Sequence, residues 1–388
     1  MRSLLPPPVE RLGRAGLDRL VPPPRRRYRW LRRETPQAHL DRHGLGDSGR
    51  VETVHPARVA HHPLPGGVTD RDELPRDAGW WGYSMHDVPA RRESETFVAT
   101  LPRCRVAWYG GAGQPDEFHP AIIGSDGASI ELSQIRFRPQ HAPVLRDTPP
   151  RAHLARATWV LERVYDNHSH WLTAHLPKLL LLAERDQLDD VVLPAHLGAA
   201  AAQSLEMLSV EVPGRLDLST PGWIDVDELT VIGTDRFRSS LLRSVQEASG
   251  ATAAAGHRRI WVSRDRATRR RLRDEAALRP VLDHHGFEIV HLEDMSFADQ
   301  LALMRQTAVL AGPHGAGLTN MIFCPPGTHV VEIAAPDFPN PNFYAEAAGL
   351  GHRYWYVPAR SVGDGPSLER DLQVDPSTLA TILGSLEV

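Results

Sequence analysis

From residue 226 to the C terminus, apolar runs of strand length alternate with longer stretches of mixed polarity. "ELTVIG", "RRIWVSR", "FEIVHL", "TAVLAG", "HVVEIAA" and "RYWYVP" are short, bounded, and rich in β-branched or aromatic residues, as buried strands are. The intervening segments have helix length, and that alternation predicts a parallel sheet with crossover helices. Pro280 is expected to split "RATRRRLRDEAALRPVLDHH" into two helices, and Asp375-Pro376 to cap a closing helix in "DPSTLATILGSLEV". A Rossmann-like lobe is therefore expected over 226–388.

The pattern upstream is mixed. "TFVATL", "RVAWYG" and "AIIGSDGASIEL" read as strands between glycine and aspartate turns. In "NHSHWLTAHLPKLLLLAER" (167–185), Trp171, Leu172, Leu176, Leu179, Leu180 and Leu182 make a broad helical stripe that Pro177 should bend. "DDVVLP" then reads as a buried strand and "AAAAQSLEML" as a helix, so 95–225 is expected to form a smaller α/β lobe. Residues 1–94 are dense in proline and arginine with few long apolar segments, which predicts a partly disordered segment. Within it "PPPRRRYRWLRR" (22–33) packs six arginines around Tyr28 and Trp30. That composition suits either a solvated tail or peripheral contact with an anionic membrane.

A length of 388 residues fits two lobes and a tail. The 44 basic and 48 acidic residues give a net charge of −4, so no global field advertises nucleic acid, and any basic patch must be local. Two cysteines, Cys104 and Cys324, exclude a disulfide framework and a four-cysteine zinc site. With no apolar stretch near the ~20 residues a bilayer requires, the expected location is cytoplasmic, or peripheral at the inner face of the cell membrane.

Candidate chemistry concentrates in "GPHGAGLTNMIFCPPGTHVVEI" (312–333). A strand leaves the sheet at Gly312 and a helix is expected to begin near Gly315, offering free amides and a partial positive charge to phosphate oxygens. A Cβ at Gly315 or Gly317 would hold such an anion away from the backbone, and His314 at the rim is placed to donate to it. Ser263, Arg264 and Arg270 follow the strand "RRIWVSR" to the same edge and are good phosphate partners. Glu332, near the end of the next strand, is a candidate acceptor for ribose hydroxyls.

Together with "IWVSR", "FEIVHLEDMSFADQLALM" and "NHSHWLTAHLPKL", this turn resembles glycosyltransferase family 61 over about 160–358. That family includes capsule-type bacterial proteins and eukaryotic O-linked GlcNAc and xylosyl transferases. The resemblance implies a GT-B fold of two facing Rossmann-like lobes. It also implies inverting, metal-independent transfer, with no cofactor; with a composition rich in arginine, alanine and proline, the expected reaction moves a sugar from a UDP-linked donor to a glycan or glycolipid of a surface or capsular polysaccharide. Donor contacts carry over to Ser263, Arg264, Arg270, His314, Gly315, Ala316 and Gly317, with Glu332 at the strand end. The chain departs from the family pattern at Asp274-Glu275, where Asn-Glu is usual, and at Thr173-Ala174, where an acidic residue often stands.

For the transfer step, Arg264 and His314 are expected to offset charge on the leaving phosphate. His170 is the expected general base, with Asp166 in reserve. Two other classes remain: a metal-dependent hydrolase using the His168/His170 pair, whose spacing occurs in metal-binding strands, and a non-catalytic nucleotide-sugar binder of the same fold.

Overall fold

The computed structural model describes residues 31–386 apart from 47, 80, 112–113 and 252–254, and for 111–117 gives no side-chain detail. Most of the arginine-rich 22–33 segment, with Tyr28 and Trp30, lies outside the described residues. The chain is mixed α/β and divides into two compact units. One comprises Met1–Val51, Ala99–Ala157 and Leu218–Thr230; the other comprises Glu52–Val98, Thr158–Asp217 and Val231–Val388. No helix among the described residues is long and apolar enough to cross a membrane.

Within the segment expected to be partly disordered, Pro36–His43 form a helix whose N-cap Thr35 accepts the Ala38 amide and whose C-cap Gly44 is left-handed (φ 59°). Arg58–His61 and Ala90–Glu93 pair as an antiparallel ribbon.

A seven-stranded sheet is built largely from the first unit. "TFVATL" and "RVAWYG" fuse into one strand, Thr96–Gly111, which pairs antiparallel with Gln114–Gly124. That strand in turn pairs antiparallel with Ser129–Ile130. The connections 112–113 and 125–128 are too short for the crossover of a dozen or more residues that parallel pairing needs. The Rossmann-like lobe expected over 95–225 is therefore not what these strands make. "ELTVIG" also belongs here: it ends the strand Gly222–Gly233 of this sheet and is no part of the parallel one.

The second unit holds the parallel sheet. Its strands are β1 (Arg258–Val262), β2 (Phe287–Val290), β3 (Thr307–Pro313), β4 (His329–Ala334) and β5 (Arg353–Pro358). They lie in the order β2-β1-β3-β4-β5, every neighbouring pair parallel. Its helices are α1 (Leu176–Ala183), α2 (Ser239–Ala248), α3 (Arg279–His284), α4 (Phe297–Met304), α5 (Asn342–Leu350) and α6 (Pro376–Gly384). Trp261, Val309, Ala311, Val331, Ile333 and Val357 project from one face of the sheet into a core with Leu278 and Leu282 near α3 and Leu379 and Leu383 of α6. Each such leucine, fully buried, is worth about 1.5–3 kcal/mol. β3 and β4 are buried at every residue, which is why both read as unbroken apolar runs.

The stretch 167–183 is helical, with its bend taken up in one turn. Asn167 caps His168–His170, Trp171–His175 form a π turn in which the Leu176 amide donates to the Trp171 carbonyl, and α1 follows. Pro177 lacks an N–H, and the wider turn sits just before it. Between β1 and α3, residues 266–273 form turns, with a short 3₁₀ segment at Glu275–Leu278, where a helix is expected.

Candidate active site

The strand order reverses direction between β1 and β3. In an open parallel sheet the crevice at the carboxyl ends of the two strands flanking such a point is the usual ligand position. β1 delivers Ser263 and Arg264 to this edge, and β3 delivers His314 to Gly317. Residues that the sequence reading selects thus follow both strands at this edge.

Gly315 is extended (φ 174°, ψ 164°), so its backbone is open to any residue. Its need for glycine is a close approach: an added Cβ would lie 2.6 Å from Arg264 Cζ and 2.9 Å from its Cδ, and closer still to Nη1. The half-buried Arg264 therefore lies across the bend, donating from Nη2 to the Arg269 carbonyl at 3.0 Å. Arg270, held left-handed at φ 55°, donates from Nη1 to the Leu368 carbonyl at 2.7 Å and from Nε to the His314 carbonyl at 3.4 Å. Neither guanidinium forms an ion pair among the described residues. Burial lowers the pKa of Arg264, while burial and then the charges of Arg264 and Arg269 push Arg270 down to about 10. Two adjacent cations that disfavour each other's charge are suited to a polyanion placed between them.

Other predicted contacts occupy different positions. Residues Ala316–Phe323 form a 3₁₀ helix in place of the expected α-helix. A Cβ at Gly317 would meet Val262 Cγ1 at 2.9 Å and Leu292 Cδ1 at 3.3 Å, so that glycine serves apolar packing under the turn. Ser263 is buried, and its hydroxyl donates to Glu275 Oε2 at 3.1 Å while Trp261 Nε1 donates to Oε1 at 2.6 Å. Burial raises the Glu275 pKa. Arg270 lies in the turn segment, outside any helix. Ala316 is partly exposed at the mouth of the bend.

Glu332 is 1 % exposed, and both its oxygens are taken: Oε1 by His314 Nδ1 in a close contact, Oε2 by the Tyr354 hydroxyl at 2.7 Å. Its partners are thus protein groups, where ribose hydroxyls are expected. On α5, Phe343 meets the His314 ring edge-on at 4.9 Å. One turn on, Glu346 is fully buried with neither carboxylate oxygen hydrogen-bonded. Burial raises its pKa well above the usual carboxyl range, against the pull of Arg236.

Arg236 organises the second polar group, around residues 167–173. Its guanidinium donates to Thr173 Oγ1 at 2.6 Å, Ser169 Oγ at 2.9 Å and His170 Nε2 at 3.1 Å. Guanidinium only donates, so His170 Nε2 spends its lone pair there. Burial, with Arg236 next, holds the His170 pKa well below the imidazole range. The expected base is therefore already engaged, and its protonated form is opposed by a neighbouring cation. His168 Nε2 bonds Asn320 Oδ1 at 2.7 Å, and Asn320 Nδ2 reaches Gln300 at 2.8 Å. The histidine pair thus binds an amide and a guanidinium. Among the described residues the group spaced to hold a metal ion is Glu34, His39 and His43, which includes neither.

Sequence reasoning missed Arg236, Asn320, Glu346 and Tyr354. Arg236 left one signal, an arginine three residues after the strand end "VIG"; the others sit in apolar segments where nothing marks them.

Residues 168–331 match the model of the family described as glycosyltransferase 61. This stretch, under half of the chain, is similar to glycosyltransferase family 61. The matched residues run from the His168 helix start through the bend to β4, so they contain both polar groups of the site except Glu332, Glu346 and Tyr354. Among curated relatives, an EGF domain-specific O-linked N-acetylglucosamine transferase of Drosophila melanogaster is 32% identical over 100 residues, covering 24% of this chain and 19% of its own. A beta-1,2-xylosyltransferase of Arabidopsis thaliana is 36% identical over 71 residues, covering 18% and 13%. The matches thus span less than a fifth of either relative.

Proposed function

We propose that this protein is a glycosyltransferase that binds the diphosphate of a nucleotide-sugar at the β1/β3 crevice and passes the sugar to a glycan or glycolipid hydroxyl. The reading is carried by the pair Arg264 and Arg270, two cations without carboxylate partners among the described residues, bracketing a bend where only glycine leaves room. As the bond from C1 to the diphosphate breaks, negative charge grows on the phosphate oxygens. Prearranged guanidinium groups in a partly buried site stabilise that charge more in the transition state than in the ground state. Chemistry of this kind proceeds by single displacement with inversion and asks no metal of the site. On this reading the five-stranded lobe is the donor half of a GT-B-type enzyme, and UDP is the first nucleotide to try.

A thermal-shift panel of UDP, GDP, CDP and ADP tests the reading. At a hundredfold excess over Kd, a site specific to the folded state adds about 2.7 kcal/mol of apparent stability, and Arg264→Ala together with Arg270→Ala should abolish the shift. No shift with any of the four would overturn the donor site. A shift without release of nucleoside diphosphate from any sugar donor would identify a non-catalytic binder.

A further inference from the structure

We infer that His314 is the proton acceptor of the transfer step and Glu332 its positioning residue, which Tyr354 fixes in turn; this rests on the bend being the donor-diphosphate site. Glu332 accepts from His314 Nδ1 on one oxygen and from Tyr354 on the other. A carboxylate has no proton to give, so the hydrogen of that first bond belongs to Nδ1, and the lone pair of the neutral ring is left on Nε2. Nε2 has no hydrogen-bond partner among the described residues. By contrast, the lone pair of His170 Nε2 faces Arg236.

Two aromatic rings and the main chain also fix the residue. Phe338 and Phe343 meet it edge-on at 5.4 and 4.9 Å. The His314 amide donates to the Ile333 carbonyl at 2.8 Å, and its own carbonyl receives Arg270 Nε. A base needs a free lone pair, a fixed direction and a partner that stabilises its protonated form; His314 has all three. In the step, the acceptor O–H gives its proton to Nε2 while the oxygen's electron pair forms the new bond to C1. The old bond from C1 to oxygen breaks, and its electrons leave on the nucleoside diphosphate. The imidazolium so formed faces Glu332, with Arg264 and Arg270 on the phosphate side.

The charged or titratable groups around the ring are Glu332 on β4, Tyr354 and Tyr356 on β5, Glu346 on α5, and Arg264 and Arg270 after β1. Of these, Glu332 alone bonds the imidazole. Glu332→Gln keeps the shape and removes the charge.

The first test is ¹⁵N NMR of the wild-type imidazoles at neutral pH. His314 is expected with its proton on Nδ1, and a proton on Nε2 would overturn the inference without any variant. The second is nucleoside diphosphate release from UDP-N-acetylglucosamine and UDP-xylose with water as acceptor. In Glu332→Gln, kcat should fall about 100-fold or more, with donor KM within about threefold. Tyr354→Phe should lose about three- to tenfold in kcat. Unchanged kcat in both variants, beside intact UDP binding, would sink the base assignment and leave the donor site standing; absent UDP binding in the wild type would sink the donor site instead.

Discussion

Gly315→Ala separates the role of the bend in binding from its role in folding. With φ at 174°, alanine fits the backbone without strain, and loss of glycine freedom in the unfolded chain contributes about 0.4–1 kcal/mol in its favour. The obstruction is Arg264, whose Cζ would stand 2.6 Å from the new Cβ. Ordinary carbon contact lies at about 3.5–4.0 Å, so the guanidinium must retreat by roughly 1 Å, and a long side chain can do so cheaply. Charge-assisted hydrogen bonds tolerate only a few tenths of an ångström, so the contact to phosphate is lost. That costs about 1.5–3 kcal/mol, or about 10- to 150-fold in affinity. Calorimetric titration with pyrophosphate and with UDP should show this loss while the melting temperature stays within about 2 °C of wild type. Arg264→Ala should lose a similar amount, and the double variant should lose little more, because both remove one contact. Unchanged pyrophosphate affinity in Gly315→Ala would refute the placement of the anion, and a full additive loss in the double variant would refute the route through Arg264.

Gly312→Ala should behave in the opposite way. Its Cβ would lie 2.7 Å from the Val262 carbonyl oxygen, a backbone atom of the adjacent strand that cannot step aside. We expect about 1–3 kcal/mol of destabilisation, seen as a lower midpoint in urea; wild-type stability would refute the close approach of β1 and β3. Glu346 supplies a pH test. Its folded pKa is raised above the unfolded value by burial, so between the two values the folded state holds a proton that the unfolded state has lost. Stability therefore falls as pH rises above the ordinary glutamate range. Glu346→Gln should flatten that fall, gaining relative to wild type at pH 8 but not at pH 4, and parallel urea midpoints for the two proteins from pH 4 to 8 would refute the buried, unpaired carboxyl.

What the sequence determined by itself is the parallel lobe and the edge at which its candidate ligand residues stand. β3 and β4 were legible because a strand buried on both faces must be apolar throughout, and all five because helix-length spacers leave a parallel crossover as the economical connection. Arg264, Arg270, His314 and Gly315 followed from the rule that parallel strands end at one edge. Tertiary structure decided the rest. "ELTVIG" has the same composition as the parallel strands, and only its partners assign it to the other sheet. Short links between 96 and 130 forced antiparallel pairing where a second Rossmann-like lobe is expected from the family resemblance. Glu332, at a strand end, reads as available, yet Tyr354 from the neighbouring strand and His314 from the preceding one close both its oxygens. His170 reads as a base until Arg236, distant in sequence, takes its lone pair. A side chain's type is local information, whereas the direction of its lone pairs and the charge beside them depend on which distant residues the fold brings within about 3 Å.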